Sequence, residues 1–132
     1  FHTPLMEETH QIAINQLGGL EIGLPKIPLI DGLGKIWSPY STEVEDLLNY
    51  TLKTQVISMY NFSKSVEAAI KELCPDKVVI LGPGNSLGGS VGQILIKMFW
   101  NSISSKKDFI DKQNSDPFVI SMGISDQRKL VC

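Results

Sequence analysis

Histidine can accept a proton and return it near neutrality, because its ordinary pKa is about 6.5. This chain has two, His2 and His10. His2 stands in the stretch Phe1-His2-Thr3-Pro4-Leu5-Met6. An imidazole there could take a proton from a hydroxyl and give it back to a departing thiol, the two-way step that acyl transfer between thioesters requires. His10 falls in the polar part of a predicted helix, where it is expected to be solvent-exposed and structural, without a metal-binding partner at ligand spacing. A second segment, Val78-Val79-Ile80-Leu81-Gly82-Pro83-Gly84-Asn85-Ser86-Leu87-Gly88-Gly89, runs from an apolar strand through a glycine-rich turn into an apolar helix. Within it Gly84-Asn85-Ser86-Leu87-Gly88 matches G-x-S-x-G, which makes Ser86 a formal candidate nucleophile. Both histidines precede that serine, whereas the histidine of an α/β-hydrolase follows it. Pro83 also separates the strand from the would-be elbow. The same glycines invite a phosphate-binding reading, but their spacing is one residue too long for G-x-G-x-x-G and no Walker lysine follows. Close backbone packing in the turn accounts for them without a ligand. Asp31-Gly32 is either a plain Asp-Gly turn or a strand end whose carboxylate or carbonyl could fix a histidine tautomer.

Taken together and in this order, the two segments resemble the C-terminal part of the malonyl-CoA:acyl carrier protein transacylases. The resemblance implies that His2 is the catalytic base. It implies that Gly82-Pro83-Gly84 closes the sheet near the active site, and that Asp31-Gly32 occupies the place of an N-x-x-G-like turn there. The family's Q-L-x-x-P-V-like stretch corresponds to Thr51-Leu52-Lys53-Thr54-Gln55-Val56. Thr51 stands where a glutamine would line the active site, and Gln55 where the family has proline. The family's nucleophile, a serine in a G-H-S-x-G elbow, lies upstream of the histidine, and no such motif occurs in this sequence. The resemblance covers residues 1–97, and residues 98–132 form a tail without a counterpart. It implies the base-carrying, C-terminal portion of an α/β-hydrolase-like acyltransferase domain, inactive alone. Acyl-CoA and acyl carrier protein would be its partners, with the CoA thioester as substrate and no other cofactor. Malonyl is the family's default acyl group, and fatty acid or polyketide biosynthesis its setting. The N-terminal half of such a domain would be a further partner, supplying the oxyanion donors and the arginine that pairs with the malonyl carboxylate. Arg128 lies in the tail. Two other readings stand beside this one: a non-catalytic remnant or subunit that binds a carrier protein or completes another chain's sheet, and a serine hydrolase using Ser86.

Elements must position these residues. Pro4 to Leu17 reads as a helix through Leu5, Ile12, Ala13 and Leu17, stopped by Gly18-Gly19. Lys26 to Ile30 reads as a strand, and Gly32 to Tyr40 as a loop. A helix then starts on a Ser41 or Thr42 cap, directs Leu47, Leu48 and Leu52 to the core, and ends near Thr54. A second helix spans Met59 to Cys74, before Pro75. Lys77 to Leu81 reads as a buried parallel strand, Ser90 to Ser104 as a helix, and Phe118 to Ile120 as a last strand. The polar stretch from Ser104 to Ser115 is expected to be a solvated face. This order points to an α/β layer structure whose sheet has about three strands, thin for a parallel sheet covered on both faces. That thinness is consistent with a missing N-terminal half.

Composition narrows the class. An apolar fraction of 42% with 20% charged residues is that of an ordinary globular protein. The net charge of −2 and the single arginine, Arg128, exclude a surface built for nucleic acid or anionic membrane. No apolar run approaches the roughly 18 residues that a spanning helix needs, and no basic-then-apolar leader opens the sequence. Cys74 and Cys132 suit a reducing cytoplasm better than a disulfide scaffold.

Overall fold

The residue before a proline is pushed out of the helical region, and Thr3 is accordingly extended at φ −147° and ψ 147°. Its side chain caps the 3-10 turn Pro4–Met6, which leads into α1, Glu7–Leu17. The predicted apolar stripe is not buried: Leu5, Ile12 and Leu17 are exposed, and the buried residue of α1 is His10. The computed structural model describes residues 2–82 and 84–131. These fall into two compact units, residues 1–68 and 69–132, dividing within a helix.

In the first unit, β1 (Leu29–Ile30) pairs antiparallel with β2 (Ile36–Trp37), in the register Ile30 opposite Ile36. The sequence led us to expect a loop where β2 lies. A five-residue connection holding a glycine between two apolar pairs is a hairpin signal, and Gly34 in the left-handed region (φ 77°) closes it. α2 (Val44–Asn49) begins on Glu43 without a side-chain cap. The Thr42 hydroxyl instead donates to the Ser38 carbonyl at 2.7 Å. α2 continues through a π-helical stretch, Tyr50–Thr54, into α3, Gln55–Ile57, so the helix runs past Thr54 to an extended Ser58. Leu47 and Leu52 are buried as expected, while Leu48 is half-buried. α4 (Phe62–Leu73) follows, and its Ser65 hydroxyl donates to the Asp31 carbonyl at 2.6 Å.

The second unit is built on β3 (Val78–Ile80) and β4 (Val119–Ser121), paired in parallel with Val78 opposite Val119. Parallel strands need a helical crossover, here α5 (Leu87–Lys97) and α6 (Lys106–Ser115). Hence the described residues form two small sheets of two strands, not one sheet of three, and β1 belongs to the antiparallel one. α5 stops at Lys97, short of Ser104, because Phe99 and Asn101 adopt left-handed backbone. The polar stretch after it is a helix, not merely a solvated face. Ser105 accepts from the Asp108 N–H at 3.1 Å while the Asp108 carboxylate accepts from the N–H and hydroxyl of Ser104, a variant of the capping box. Leu95, Ile103 and Ile120 are fully buried, with the Trp100 and Phe109 rings against Phe118. β3 is less buried than expected, since Val79 is 41% exposed. β4 is buried throughout, and side-chain amides close its outer edge. Gln113 donates to the Val119 carbonyl and accepts from its N–H, and Gln127 accepts from the Ser121 N–H. α7 (Ser125–Arg128) carries Gln127.

Gln113→Glu cannot donate to the Val119 carbonyl, and Gln113→Ala satisfies neither backbone group. Each is expected to destabilise the second unit by roughly 1–3 kcal/mol, the cost of stranding buried polar groups. Urea unfolding followed by amide exchange at Val78 and Val119 checks it, and unchanged protection would contradict the role given to Gln113.

Candidate active site

The helix Val44–Ile57 ends in carbonyls that no further turn can satisfy. The chain's first residues supply the donors. The N–H groups of His2 and Thr3 reach the Val56 carbonyl at 2.8 and 3.3 Å. His2 Nδ1 lies 2.5 Å from the Gln55 carbonyl. A carbonyl only accepts, so Nδ1 carries a proton, and in the neutral imidazole Nε2 then keeps its lone pair. His2 itself has φ 65°, in the left-handed region. Its ring is exposed and stands 5.4 Å from that of Tyr60.

Gln55 and Tyr60 also line a cleft of about 180 Å³ in the first unit. Asp31 and Thr51 form part of the same wall, as do Leu29, Ile30 and Leu47, with Trp37 and Tyr50. Two residues singled out from the sequence, Asp31 and Thr51, thus share one wall, and His2 adjoins two other lining residues, Gln55 and Tyr60. Asp31 is 4% exposed and uses its carboxylate within the hairpin. Oδ1 accepts from the N–H groups of Leu33 and Lys35 at 2.8 and 2.9 Å, and Oδ2 from the Trp37 indole at 3.1 Å. It organises the loop, and the tautomer of His2 is set by the Gln55 carbonyl instead. Thr51 donates its hydroxyl to the Leu47 carbonyl at 2.8 Å. Gly32 is buried beside them, where a β-carbon would lie 2.8 Å from the Tyr60 ring carbon Cγ.

His10 departs from expectation. It is 3% exposed, and its Nδ1 is 3.0 Å from the Leu52 carbonyl in the π-helical stretch. Sequence spacing alone put it on a polar face. The buried side of α1 is set by this polar contact and not by an apolar stripe.

Gly82 and Gly84 belong to the second unit, and Pro83 lies outside the described residues. Both glycines have positive φ, 105° and 76°, so the turn needs them for its backbone. The Ser121 hydroxyl donates to the Gly84 carbonyl at 3.1 Å. Ser86 has φ −61° and ψ −31°, ordinary helical backbone and not the strained conformation of a nucleophile elbow. Among the described residues no cluster of His, Cys, Asp and Glu could hold a metal ion, and no helix is long and apolar enough to cross a membrane.

Sequence reasoning missed Tyr50, Tyr60 and the Gln55 carbonyl. A backbone carbonyl carries no side-chain signature, and only the helix end before Ser58 could have pointed to it. Comparison with family models, with curated proteins and with solved structures finds no match for this chain in any of the three.

Tyr50 accepts a hydrogen bond from the Gly32 N–H at 2.7 Å. Burial pushes its phenol up from the ordinary value of 10.0, the Gly32 bond pulls the other way, and Asp31 and Tyr60 add to the rise. A phenol raised by folding holds its proton more tightly in the native state. Its contribution to stability is complete below the unfolded pKa of about 10 and is lost as pH climbs past it. Stability measured in urea from about pH 8 to 12 should therefore fall more steeply for the native chain than for Tyr50→Phe. Equal slopes would contradict this.

Proposed function

We propose that this chain is the base-carrying, C-terminal portion of an α/β-hydrolase-like acyltransferase that moves an acyl group from coenzyme A to the phosphopantetheine thiol of an acyl carrier protein. The observation that carries the reading is the Gln55 carbonyl against His2 Nδ1, at the edge of a cleft shared with Asp31 and Thr51. It adds a chemical reason to the resemblance of Phe1 to Met6. An imidazole whose Nδ1 is held by a carbonyl presents Nε2 as a general base.

In this proposal a serine outside these residues attacks the acyl-CoA carbonyl. His2 takes the serine proton and returns it to the departing CoA thiolate. In the second half His2 takes the carrier thiol's proton, the thiolate attacks the acyl-serine, and the proton passes back to the serine oxygen. Malonyl is the default acyl group of the transacylases the chain resembles, and these steps do not depend on which acyl group is carried. The reaction needs no cofactor beyond the CoA thioester, and the setting is cytoplasmic. Thr51, whose hydroxyl is turned to the helix backbone where the family has glutamine, favours a second reading: a non-catalytic subunit that binds the carrier protein.

Incubated alone with acyl-CoA and carrier protein, the chain is expected to transfer nothing. Supplied with a polypeptide carrying the G-H-S-x-G serine, it should acylate the carrier. His2→Ala should lower that rate by about 10²- to 10⁴-fold, the usual contribution of a general base. His10→Ala should instead lower stability by roughly 1–3 kcal/mol, because it strands the buried Leu52 carbonyl. Transfer by the chain alone that disappears in Ser86→Ala would overturn the assignment, as would full activity in His2→Ala. Absence of transfer together with carrier-protein binding would select the subunit reading.

A further inference from the structure

The cleft beside His2 also speaks to which acyl group it takes, and the inference rests on the acyltransferase reading above. Its volume, about 180 Å³, is close to that of an apolar cavity of about 150 Å³ that accepts benzene. A chain of about four to six carbons fills such a space. The wall offers aliphatic contact from Leu29, Ile30 and Leu47 and aromatic contact from Trp37 and Tyr50. Its charge comes from Asp31, whose two carboxylate oxygens accept from N–H donors only, as an ionised carboxylate does. Among the described residues, the lining includes no Lys, Arg or His. The ammonium group of Lys35, next to the hairpin, sits 3.7 Å over the centre of the Trp37 ring, already engaged there. A second carboxylate in this cleft would meet a like charge in its wall.

We infer that the cleft selects a short, uncharged acyl group, with Asp31 excluding carboxylated ones such as malonyl. The phenol of Tyr50, whose oxygen accepts from Gly32, keeps its own proton to donate to the acyl carbonyl.

The test titrates the chain with S-butyryl-pantetheine and with S-malonyl-pantetheine and follows the indole N–H resonances by NMR. Trp37 lies on the cleft and Trp100 in the other unit, so the two signals separate local binding from general effects. The butyryl thioester should shift the Trp37 resonance saturably, at a concentration at least about tenfold below that needed for malonyl, a difference of about 1.4 kcal/mol. Trp100 should not move. Thr51→Leu, which adds bulk to the cleft wall on an exposed helix position, should abolish the butyryl shift while leaving the remaining spectrum intact. Malonyl binding as tight as butyryl, with Trp37 shifting, would overturn the selectivity and leave the acyltransferase reading in place. If neither thioester moves Trp37, both the selectivity and that reading fall.

Discussion

The end of the helix Val44–Ile57 is the constraint on which the first unit depends. Its last carbonyls must find donors or lie stranded. The N-terminal segment provides them through the His2 imidazole and the N–H groups of His2 and Thr3. A turn earlier, in the π-helical stretch, the Leu52 carbonyl takes the imidazole of His10 from α1. Both histidines are thereby used as donors to one helix, in quite different surroundings. His10 is enclosed and its bond serves stability. His2 is exposed, so the same kind of bond leaves its other nitrogen open to a reactant. Each such bond contributes only about 0.5–1.5 kcal/mol net, yet together they decide where the chain's start lies. π-helical turns are often found at functional sites, and this one carries Tyr50 and Thr51 into the wall of the cleft.

The hairpin facing that helix is held by a single carboxylate. Asp31 gathers the N–H groups of Leu33 and Lys35 and the indole of Trp37, while its backbone carbonyl receives the Ser65 hydroxyl from α4. The short strands Leu29–Ile30 and Ile36–Trp37 would make a marginal ribbon by themselves. A buried side chain with both carboxylate oxygens hydrogen-bonded gives them a fixed loop. This explains why Asp31 lies in the cleft wall without reaching toward His2: its geometry is already committed.

What the sequence revealed follows from where strong local signals lie. The parallel strand at Val78–Ile80 and the glycine turn were legible because an apolar run, a positive-φ requirement and an apolar helix follow one another. The helix at Lys106–Ser115 was missed because its low apolar content hid the Ser105 and Asp108 cap that nucleates it. The pairing of β3 with β4 brought meaning to the tail. Val119–Ser121 completes the small parallel sheet, and Gln113 and Gln127 hydrogen-bond its other edge. No periodicity announces a glutamine that hydrogen-bonds a strand edge, since the contact depends on tertiary placement. At the site, residue types pointed to His2, Asp31 and Thr51, but the partner of His2 is main chain and was invisible to a reading of side chains.

That last fact changes how the departures from the transacylase pattern weigh. At position 55 the pattern has proline and this chain has glutamine. Proline lacks an N–H but keeps its carbonyl, so an acceptor for the imidazole is available with either residue. The exchange therefore does not remove the group that sets the His2 tautomer. Position 51 is different, because a glutamine there would act through its side-chain amide. Thr51 turns its hydroxyl back to the Leu47 carbonyl and offers the cleft no amide donor. Donors that remain on the wall are the phenols of Tyr50 and Tyr60 and the side-chain amide of Gln55, neutral groups set in aliphatic and aromatic surroundings. In the proposed acyltransferase, the base and the acyl pocket would then rest on different kinds of group: a backbone carbonyl for the one, and side chains for the other. Substitution along this helix can alter the second while leaving the first in place.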